Sequence, residues 1–244
     1  MITIDCRELG YQELNGKLRK NHREYRLTGC CGQRFIAAGM SGKHITIEGI
    51  PGNALGAYLN GASITVQANA QDAVGDTMNE GKIVVYGSIG DAAGYAMRGG
   101  QIFVRDNAGY RAGIHMKAYG DKTPALIIGG FAGSFLGEYQ AGGTILVLGR
   151  NLSEQGKTHP IVGNFPGTGM HGGKMFLRGD CSRIRFPGQV TVRKSSPQEL
   201  AEIRPLALEY GRLFGCDTEE LLQAEFTTVL PDSKNPYRQM YVAN

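Results

Sequence analysis

The sequence predicts an all-β fold, a single-stranded right-handed parallel β-helix of about seven coils, with an N-terminal α/β cap and a C-terminal helical tail. Glycine makes up 37 of the 244 residues, roughly twice its usual share of about 7%. Short alternating triplets such as Ile64-Thr65-Val66 recur along the chain and have the period of a strand. The position that follows each triplet returns at a constant step of 19 residues, which is typical of a solenoid.

The repeat is clearest where the post-strand position is occupied in turn by Gly49, Ala68, Gly87 and Asp106. The pattern resumes after an insertion at residues 117–123, and again after a second one at about 150–160. A glycine-rich β-sandwich would not keep a fixed glycine spacing at a constant step. Parallel crossovers are almost always right-handed, which gives the predicted hand of the coil.

The glycines of the repeat are predicted to occupy the corners of the coils. Glycine adopts positive φ without steric cost, and its missing side chain lets successive corners stack closely. The predicted structural corner glycines are Gly49, Gly52, Gly56, Gly75, Gly87, Gly90, Gly94, Gly109, Gly113, Gly130, Gly133, Gly137, Gly163 and Gly167.

The chain is predicted to have three parts, a cap at residues 1–41, the glycine-repeat β-helix at 42–193 and a helical tail at 194–244. In the cap we expect a strand at 2–4, a helix at 11–20 and a strand at 34–37. The last strands of the β-helix are expected at 184–186 and 190–192. Each assignment follows from local periodicity.

The tail begins with a capping signal, because Ser196 precedes Pro197 and is followed three residues later by Glu199. Pro205 is expected to kink this helix or start it again. A second capping signal at Asp217 predicts another helix, which Pro231 ends. We expect the tail to be helical from residue 196 to 230 and to dock on the rod, since an open parallel edge invites association.

Composition excludes several classes of function. With 26 basic and 22 acidic residues the net charge is only +4, so neither nucleic acid nor an anionic membrane is an expected partner. Five cysteines, an odd number, do not form a disulfide framework and indicate a reducing cytoplasm. No apolar signal core opens the chain, and the apolar stretch at 124–137 is too short to span a bilayer.

No motif for catalysis, cofactor binding or metal binding occurs in the structural context that its chemistry requires. Residues 167–172 match the dinucleotide fingerprint, but a strand is predicted to follow them where a helix would be needed. No Gly-Xaa-Ser-Xaa-Gly elbow and no Cys-Xaa-Xaa-Cys pair occurs. Cys6, Cys30 and Cys181 are therefore expected to be buried as small apolar side chains.

Asp72 and Asp91 are one coil step apart and should stack on each other. Two stacked carboxylates could form a retaining glycosidase pair if both faced a substrate. Capping of backbone amides at a turn is the alternative and expected use.

The fourth coil departs from the repeat at a position that alanine occupies in three coils. Ala54, Ala73 and Ala92 are followed one step later by Arg111. An arginine in that slot must point to solvent, meet a carboxylate or contact a partner. The candidate partner interface predicted from this departure consists of Arg98, Arg105, Tyr110, Arg111, His115 and Lys117.

Several ordered segments resemble the GXGXG domain of glutamate synthase. They are residues 32–35, 70–79, 94–100, 109–117 and 137–143. In that family the domain ends the large subunit, or forms a separate protein in some archaea and bacteria. The resemblance implies a non-catalytic subunit that holds a glutamine amidotransferase and an FMN-containing synthase together, with FMN and an iron–sulfur cluster in the partner subunits and no cofactor in this chain.

Two other functions stay open at this stage. A β-helix subunit of formylmethanofuran dehydrogenase is of a similar type and would also be an assembly part. A stand-alone enzyme that acts in a surface cleft belongs to a different class and would need exposed, stacked carboxylates. A homo-oligomer is compatible with each of these functions.

Overall fold

The structure, a computed structural model, describes residues 1–150, 152–154 and 157–233. Thirteen strands and three helices occur in this part of the chain. The elements are β1 (Ile2–Asp5), α1 (Tyr11–Leu18), β2 (Glu24–Cys31), β3 (His44–Ile50), β4 (Asn60–Val66), β5 (Glu80–Val85), β6 (Gln101–Val104), β7 (Ala125–Ile128), β8 (Ala141–Val147), β9 (Ser153–Glu154), β10 (Lys157–Thr158), β11 (Gly172–Arg178), β12 (Val190–Lys194), α2 (Pro197–Phe214), α3 (Thr218–Gln223) and β13 (Phe226–Pro231).

The main sheet has eleven strands in the order β1-β2-β3-β4-β5-β6-β7-β8-β11-β13-β12. All contacts from β1 to β11 are parallel, whereas β13 pairs antiparallel with both β11 and β12. The strands form a β-solenoid of about 8 turns, which confirms the predicted fold class and adds about one turn to the predicted number.

The register stacks like residues on like residues. Ile45, Ile64, Ile83 and Ile102 are paired in succession on the inner face, so the step of 19 is the length of one coil. These side chains are at most 2% exposed. Isoleucine, valine and leucine side chains buried in such columns form the main core. Their burial stabilises the fold by roughly 25 cal/mol for each Å² of apolar surface removed from water.

The outer face of the sheet changes character along the rod. One outer column is polar from Thr3 and Arg26 to Thr65, and it becomes apolar at Val84, Phe103 and Ile127. Helix α2 packs on the apolar part and forms a second core with it. The predicted docking of the tail on the rod is confirmed by this contact.

Glu199 holds the start of α2 in place. Its backbone amide donates to the Ser196 hydroxyl at 3.3 Å, and its carboxylate accepts from the Ser196 amide at 2.9 Å, which forms the predicted capping box. Arg193 donates two more hydrogen bonds to this carboxylate. Burial alone would raise the pKa of Glu199, but the hydrogen bonds from Arg193 and Ser196 outweigh it and lower the pKa to about 2.

One prediction for the tail is wrong. The helices do not extend to residue 230, because β13 runs from Phe226 to Pro231 and lies between β11 and β12. The β-branched run Thr227-Thr228-Val229 favours a strand, and the edge of β11 supplies its partner. Of the two expectations for Pro205, the restart does not occur, because the exposed proline lies within the single helix α2.

Two predicted strands are also absent. Residues 34–37 turn, with Phe35 at φ 56° and Ala37 at φ 62°, and residues 184–186 form no strand. Residues 34–37 do not alternate in burial as a strand would, since Arg34 and Phe35 are exposed and Ile36 and Ala37 are buried, and they occupy the corner of a coil. The strand of that coil is β2, which the sequence did not indicate. The predicted strands at 2–4 and 190–192 and the helix at 11–20 are confirmed, the helix ending at Leu18.

The fourteen predicted corner glycines fall into two groups. Seven have positive φ, among them Gly94 at 68° and Gly113 at 71°. The other seven lack positive φ but press on the preceding coil, as at Gly52, where an added Cβ would lie 2.2 Å from the carbonyl oxygen of Gly32. The first group serves the backbone conformation, and the second serves the close stacking of the coils.

Three glycine-to-alanine variants should separate these two roles. Gly52→Ala should destabilise most, by several kcal/mol, because backbone atoms cannot move away from the new methyl group. Gly94→Ala should cost about 1–2 kcal/mol, since its Cβ has room but its φ is left-handed. Gly188→Ala has open space and no positive φ, so it is the control and should stay within about 0.5 kcal/mol. Chemical denaturation measures all three, and equal effects at Gly52 and Gly188 would contradict the stacking role.

Removal of all residues after Ser195 should cause association. The deletion exposes the edge of β11 and the apolar outer face around Phe103 and Phe176. We expect oligomers or aggregates in size-exclusion chromatography and a lower Tm. Ile203→Ala, at a fully buried α2 position, should cost about 2–5 kcal/mol, whereas Leu208→Ala, at a 46% exposed position, serves as its control. An unchanged elution volume and Tm in the deletion would show that the tail is independent of the rod.

Candidate partner interface

One corner of every coil is built from left-handed residues at three alternate positions. In the fourth repeat these are Arg111, Gly113 and His115, with φ values of 57°, 71° and 54°. The amides of Arg111 and His115 donate to carbonyls of the following coil, whereas the amide of Gly113 donates to the preceding coil. The alternation ties each corner to both of its neighbours.

Equivalent corner residues form columns along the rod. The first column contains Phe35, Ala54, Ala73, Ala92, Arg111, Phe135 and Phe165, and the third contains Tyr58, Thr77, Ala96, His115 and Tyr139. The structure thus places Arg111 in the same slot as the three alanines, as predicted. Non-glycine residues rarely adopt positive φ, and each costs of order 1–3 kcal/mol that the ladder of hydrogen bonds must offset.

Large side chains in and next to these columns form two short stacks. Tyr110 contacts Phe135 with ring centroids 5.4 Å apart, and Phe135 contacts Phe165 at 5.3 Å. In the second stack Tyr95 meets His115 at 5.9 Å, and His115 lies nearly parallel to Tyr139 at 5.1 Å. We call these six residues the aromatic corner.

The aromatic corner is open to solvent. Phe165 is 46% exposed, Tyr95 41% and Tyr110 38%. Isolated exposed aromatic residues are common, but rings in mutual contact over successive coils form a contiguous patch. Contiguous exposed apolar patches are typical of interaction surfaces, so this corner is the candidate partner interface.

Arg111 and Glu138 lie at the centre of the aromatic corner. Arg111 Nε is 2.8 Å from Glu138 Oε2, a charge contact without the alignment of a good hydrogen bond. The guanidinium lies 4.8 Å from the Tyr110 ring centroid and 5.6 Å from that of Phe135. Of the three alternatives for Arg111, the structure shows a carboxylate partner, and the cation–π contacts hold the guanidinium at the surface.

The other predicted interface residues lie apart from this centre. Arg105 pairs with Asp106 at 2.8 Å, and this hydrogen bond raises the pKa of Arg105. Its carbonyl accepts from Tyr210 of α2, so it belongs to the helix-covered side. Arg98 and Lys117 are exposed and occupy equivalent positions on successive coils. The structure therefore brings Tyr110, Arg111 and His115 together and separates Arg105 from them.

Sequence reasoning missed five members of this surface, namely Tyr95, Phe135, Glu138, Tyr139 and Phe165. All but Tyr95 belong to coils that follow the insertions, where the step is no longer 19. Alignment of the coils on Gly113, Gly137 and Gly167 would have placed Phe135 and Phe165 in the Arg111 column, since each precedes its glycine by two residues.

The carboxylates of Asp72 and Asp91 are used by the backbone. Asp72 Oδ1 accepts from the amide of Asp91 at 2.9 Å, and Asp91 Oδ1 accepts from the amide of Tyr110 at 2.8 Å. The expected capping role is confirmed. A retaining pair with both carboxylates turned to a substrate does not fit these contacts.

The glycine-rich motif at residues 167–172 and the cysteines also have structural roles. Residues 167–172 lead into strand β11 and not into a helix, as expected from the sequence. Cys6, Cys30 and Cys181 are buried free thiols. Among residues 1–150, 152–154 and 157–233, no group of three or more His, Cys, Asp or Glu side chains could hold a metal ion. No helix in these ranges is long and apolar enough to cross a membrane.

The sequence matches the GXGXG motif family over residues 13–234. Protein MJ1350 of Methanocaldococcus jannaschii, an uncharacterized protein, is 42% identical over 252 residues, which cover 98% of this chain and 96% of that protein.

A similar solved structure is a chain of the formyltransferase/hydrolase complex FhcABCD from Methylorubrum extorquens, determined in complex with methylofuran. Its TM-score is 0.58 at 20% identity, with coverage of 91% of this chain and 87% of that one. At this identity the likeness shows a shared fold.

A double-mutant cycle should reveal the coupling of Arg111 and Glu138. Arg111→Gln leaves the buried Glu138 carboxylate without its cation and should cost about 1–3 kcal/mol of unfolding free energy. The double variant Arg111→Gln/Glu138→Gln should be less destabilised than the sum of the single variants. Arg98→Gln is the control, because Arg98 is exposed and forms no ion pair with any residue that the structure describes. Additive effects of the two single variants would contradict the ion pair.

Proposed function

The chain belongs to the GXGXG motif family, and from that membership we propose that it is the non-catalytic β-helix subunit of a glutamate synthase-like oxidoreductase. Such an enzyme converts glutamine and 2-oxoglutarate to glutamate. In this proposal the chain holds a glutamine amidotransferase subunit and an FMN-containing synthase subunit in register, so that ammonia passes from one to the other without loss.

The aromatic corner is the observation that carries the assembly role. Tyrosine, phenylalanine and arginine are enriched where protein interfaces bind most strongly. Their backbone positions are tied to both neighbouring coils, so a partner would meet a surface that is already ordered. Less conformational entropy is then lost on docking. The ladder of coils also fixes the distance between two partners bound along the rod.

The proposal assigns FMN and the iron–sulfur cluster to the partner subunits. Thiolates are the usual ligands of such clusters, and the described residues of this chain contain no suitable group of cysteines. This chain would therefore supply position, with its polar side chains engaged in ion pairs and in capping of the backbone. The free thiols fit our proposal that the complex works in the cytoplasm.

A second candidate role is that of a β-helix subunit in a formylmethanofuran dehydrogenase-type complex. The observation in its favour is the fold likeness to a chain of the formyltransferase/hydrolase complex. Both candidates make the chain an assembly part, and they differ in the enzyme that occupies the docking surface.

A reconstitution experiment tests the proposed function. The purified chain should be colourless and release no ammonia from glutamine. It should bind an amidotransferase or FMN-synthase subunit and raise the coupled, glutamine-dependent formation of glutamate. Bound flavin or turnover by the isolated chain would contradict the proposal. Binding to formylmethanofuran dehydrogenase subunits in place of these two would favour the second candidate.

Two aspartate variants test the position of the interface in the same assay. Phe165→Asp puts a charge into the aromatic corner and should weaken partner binding about tenfold or more. Leu208→Asp is a matched control, because Leu208 on α2 is also 46% exposed. Equal affinities of the two variants for the partner would place the interface elsewhere on the rod. Size-exclusion chromatography of both variants reports any homo-oligomer that uses the same surface.

A further inference from the structure

A row of polar side chains runs along the rod beside the corner columns. Asn60, Asn79 and Arg98 follow one another at steps of 19 residues. Their amides donate in turn to the carbonyls of Met40, Leu59 and Met78, so the three residues occupy the same position on consecutive coils. Successive coils are about 4.8 Å apart, and the three side chains form a short polar ladder.

The insertion at residues 117–123 adds a wall to this ladder. Within it Tyr119 and Lys122 exchange two backbone hydrogen bonds, of 3.0 and 3.1 Å, and form a tight turn. Gly99 lets the turn approach, because an added Cβ there would lie 3.1 Å from Lys122 Cβ. Lys122 Nζ also pairs with Glu80 at 2.8 Å, which anchors the turn on β5.

The ladder and the turn enclose a groove of about 440 Å³, with Tyr58 beside the ladder. This volume lies within the usual range of about 300–1,000 Å³ for small-molecule sites. Insertions into a solenoid are often placed on its binding face. The regular repeat supplies the floor of the groove, and the insertion supplies residues that the repeat does not contain.

The side chains that line the groove have unused hydrogen-bonding capacity. Within residues 1–150, 152–154 and 157–233, the side chains of Tyr58, Asn60, Asn79, Arg98 and Tyr119 make no hydrogen bond or ion pair. They present a guanidinium, two carboxamides and two phenol hydroxyls. The charge of Lys122 is balanced by Glu80, so Arg98 supplies the uncompensated positive charge.

We propose that this groove binds a small oxyanion ligand, a carboxylate or a phosphate. Arg98 would pair with the oxyanion through the planar fork that suits both groups. Asn60 and Asn79 would donate from the floor, and Tyr58 and Tyr119 would flank an apolar part of the ligand. The site stands on the groove alone and does not depend on the identity of the partner subunits.

Calorimetric titration of the full chain with succinate and with inorganic phosphate tests this proposal. At least one probe should bind, and the affinity should fall as NaCl is raised. Arg98→Gln should weaken binding about tenfold or more, through loss of a charge-assisted hydrogen bond. Tyr119→Ala should also weaken it, because the wall then loses its ring. Arg185→Gln removes another exposed arginine and is the matched control.

The two probes distinguish the chemistry of the ligand. Binding of succinate alone assigns a carboxylate, binding of phosphate alone assigns a phosphate, and binding of both assigns an oxyanion site without selectivity. The proposal is overturned if neither probe binds at about 10 mM, which corresponds to a free energy weaker than about −3 kcal/mol. It is also overturned if Arg98→Gln and Arg185→Gln bind a probe equally well. Arg98 is exposed, so the Tm of its variant should be unchanged.

Discussion

The stacking of coils in register is the constraint on which the rest of the structure depends. Each strand from β1 to β8 pairs with the next, and like residues meet in columns. A residue must therefore suit both its own coil and the equivalent positions on its neighbours. The isoleucine column on the inner face satisfies this requirement through close packing. In the Asp72–Asp91 row, each carboxylate accepts a hydrogen bond from a backbone amide of the next coil.

The corners show how the same constraint acts on the backbone. Left-handed residues occupy alternate positions of each corner. The amide of one donates to a carbonyl of the following coil, and the amide two residues later donates to a carbonyl of the preceding coil. Glycine at 113 carries this conformation without strain, while Gly52 is needed because the coil beneath it leaves no room for a side chain. Both demands recur at every turn. The high glycine content of the chain is thus a consequence of a repeating geometry, whose period is the 19-residue length of one coil.

Much of the fold could be predicted from the sequence because each regular coil carries its own signal. Prediction failed where the signal was not local. Strand β13 needs the free edge of β11, a partner about fifty residues earlier in the chain. Residues 34–37 are largely apolar and favour a strand locally, but the stacking of coils makes them a corner. The site was predicted in part. Arg111 could be recognised because alanine occupies its position in three other coils. Glu138 and Phe165 follow insertions that change the step of 19 residues, so their equivalent positions could not be read from that step.

The repeat also separates what the fold requires from what it merely permits. Alanine at 54, 73 and 92 satisfies the corner, so no larger side chain is needed there for folding. The equivalent residues on later coils are Arg111, Phe135 and Phe165, which keep the strained φ, and Phe165 also exposes an apolar ring to water. Arg111 forms an ion pair with Glu138, and the rings contact one another, but the corner itself folds without these larger side chains. The repeat alone does not require these side chains, and the partner contact that we propose for this corner would account for them.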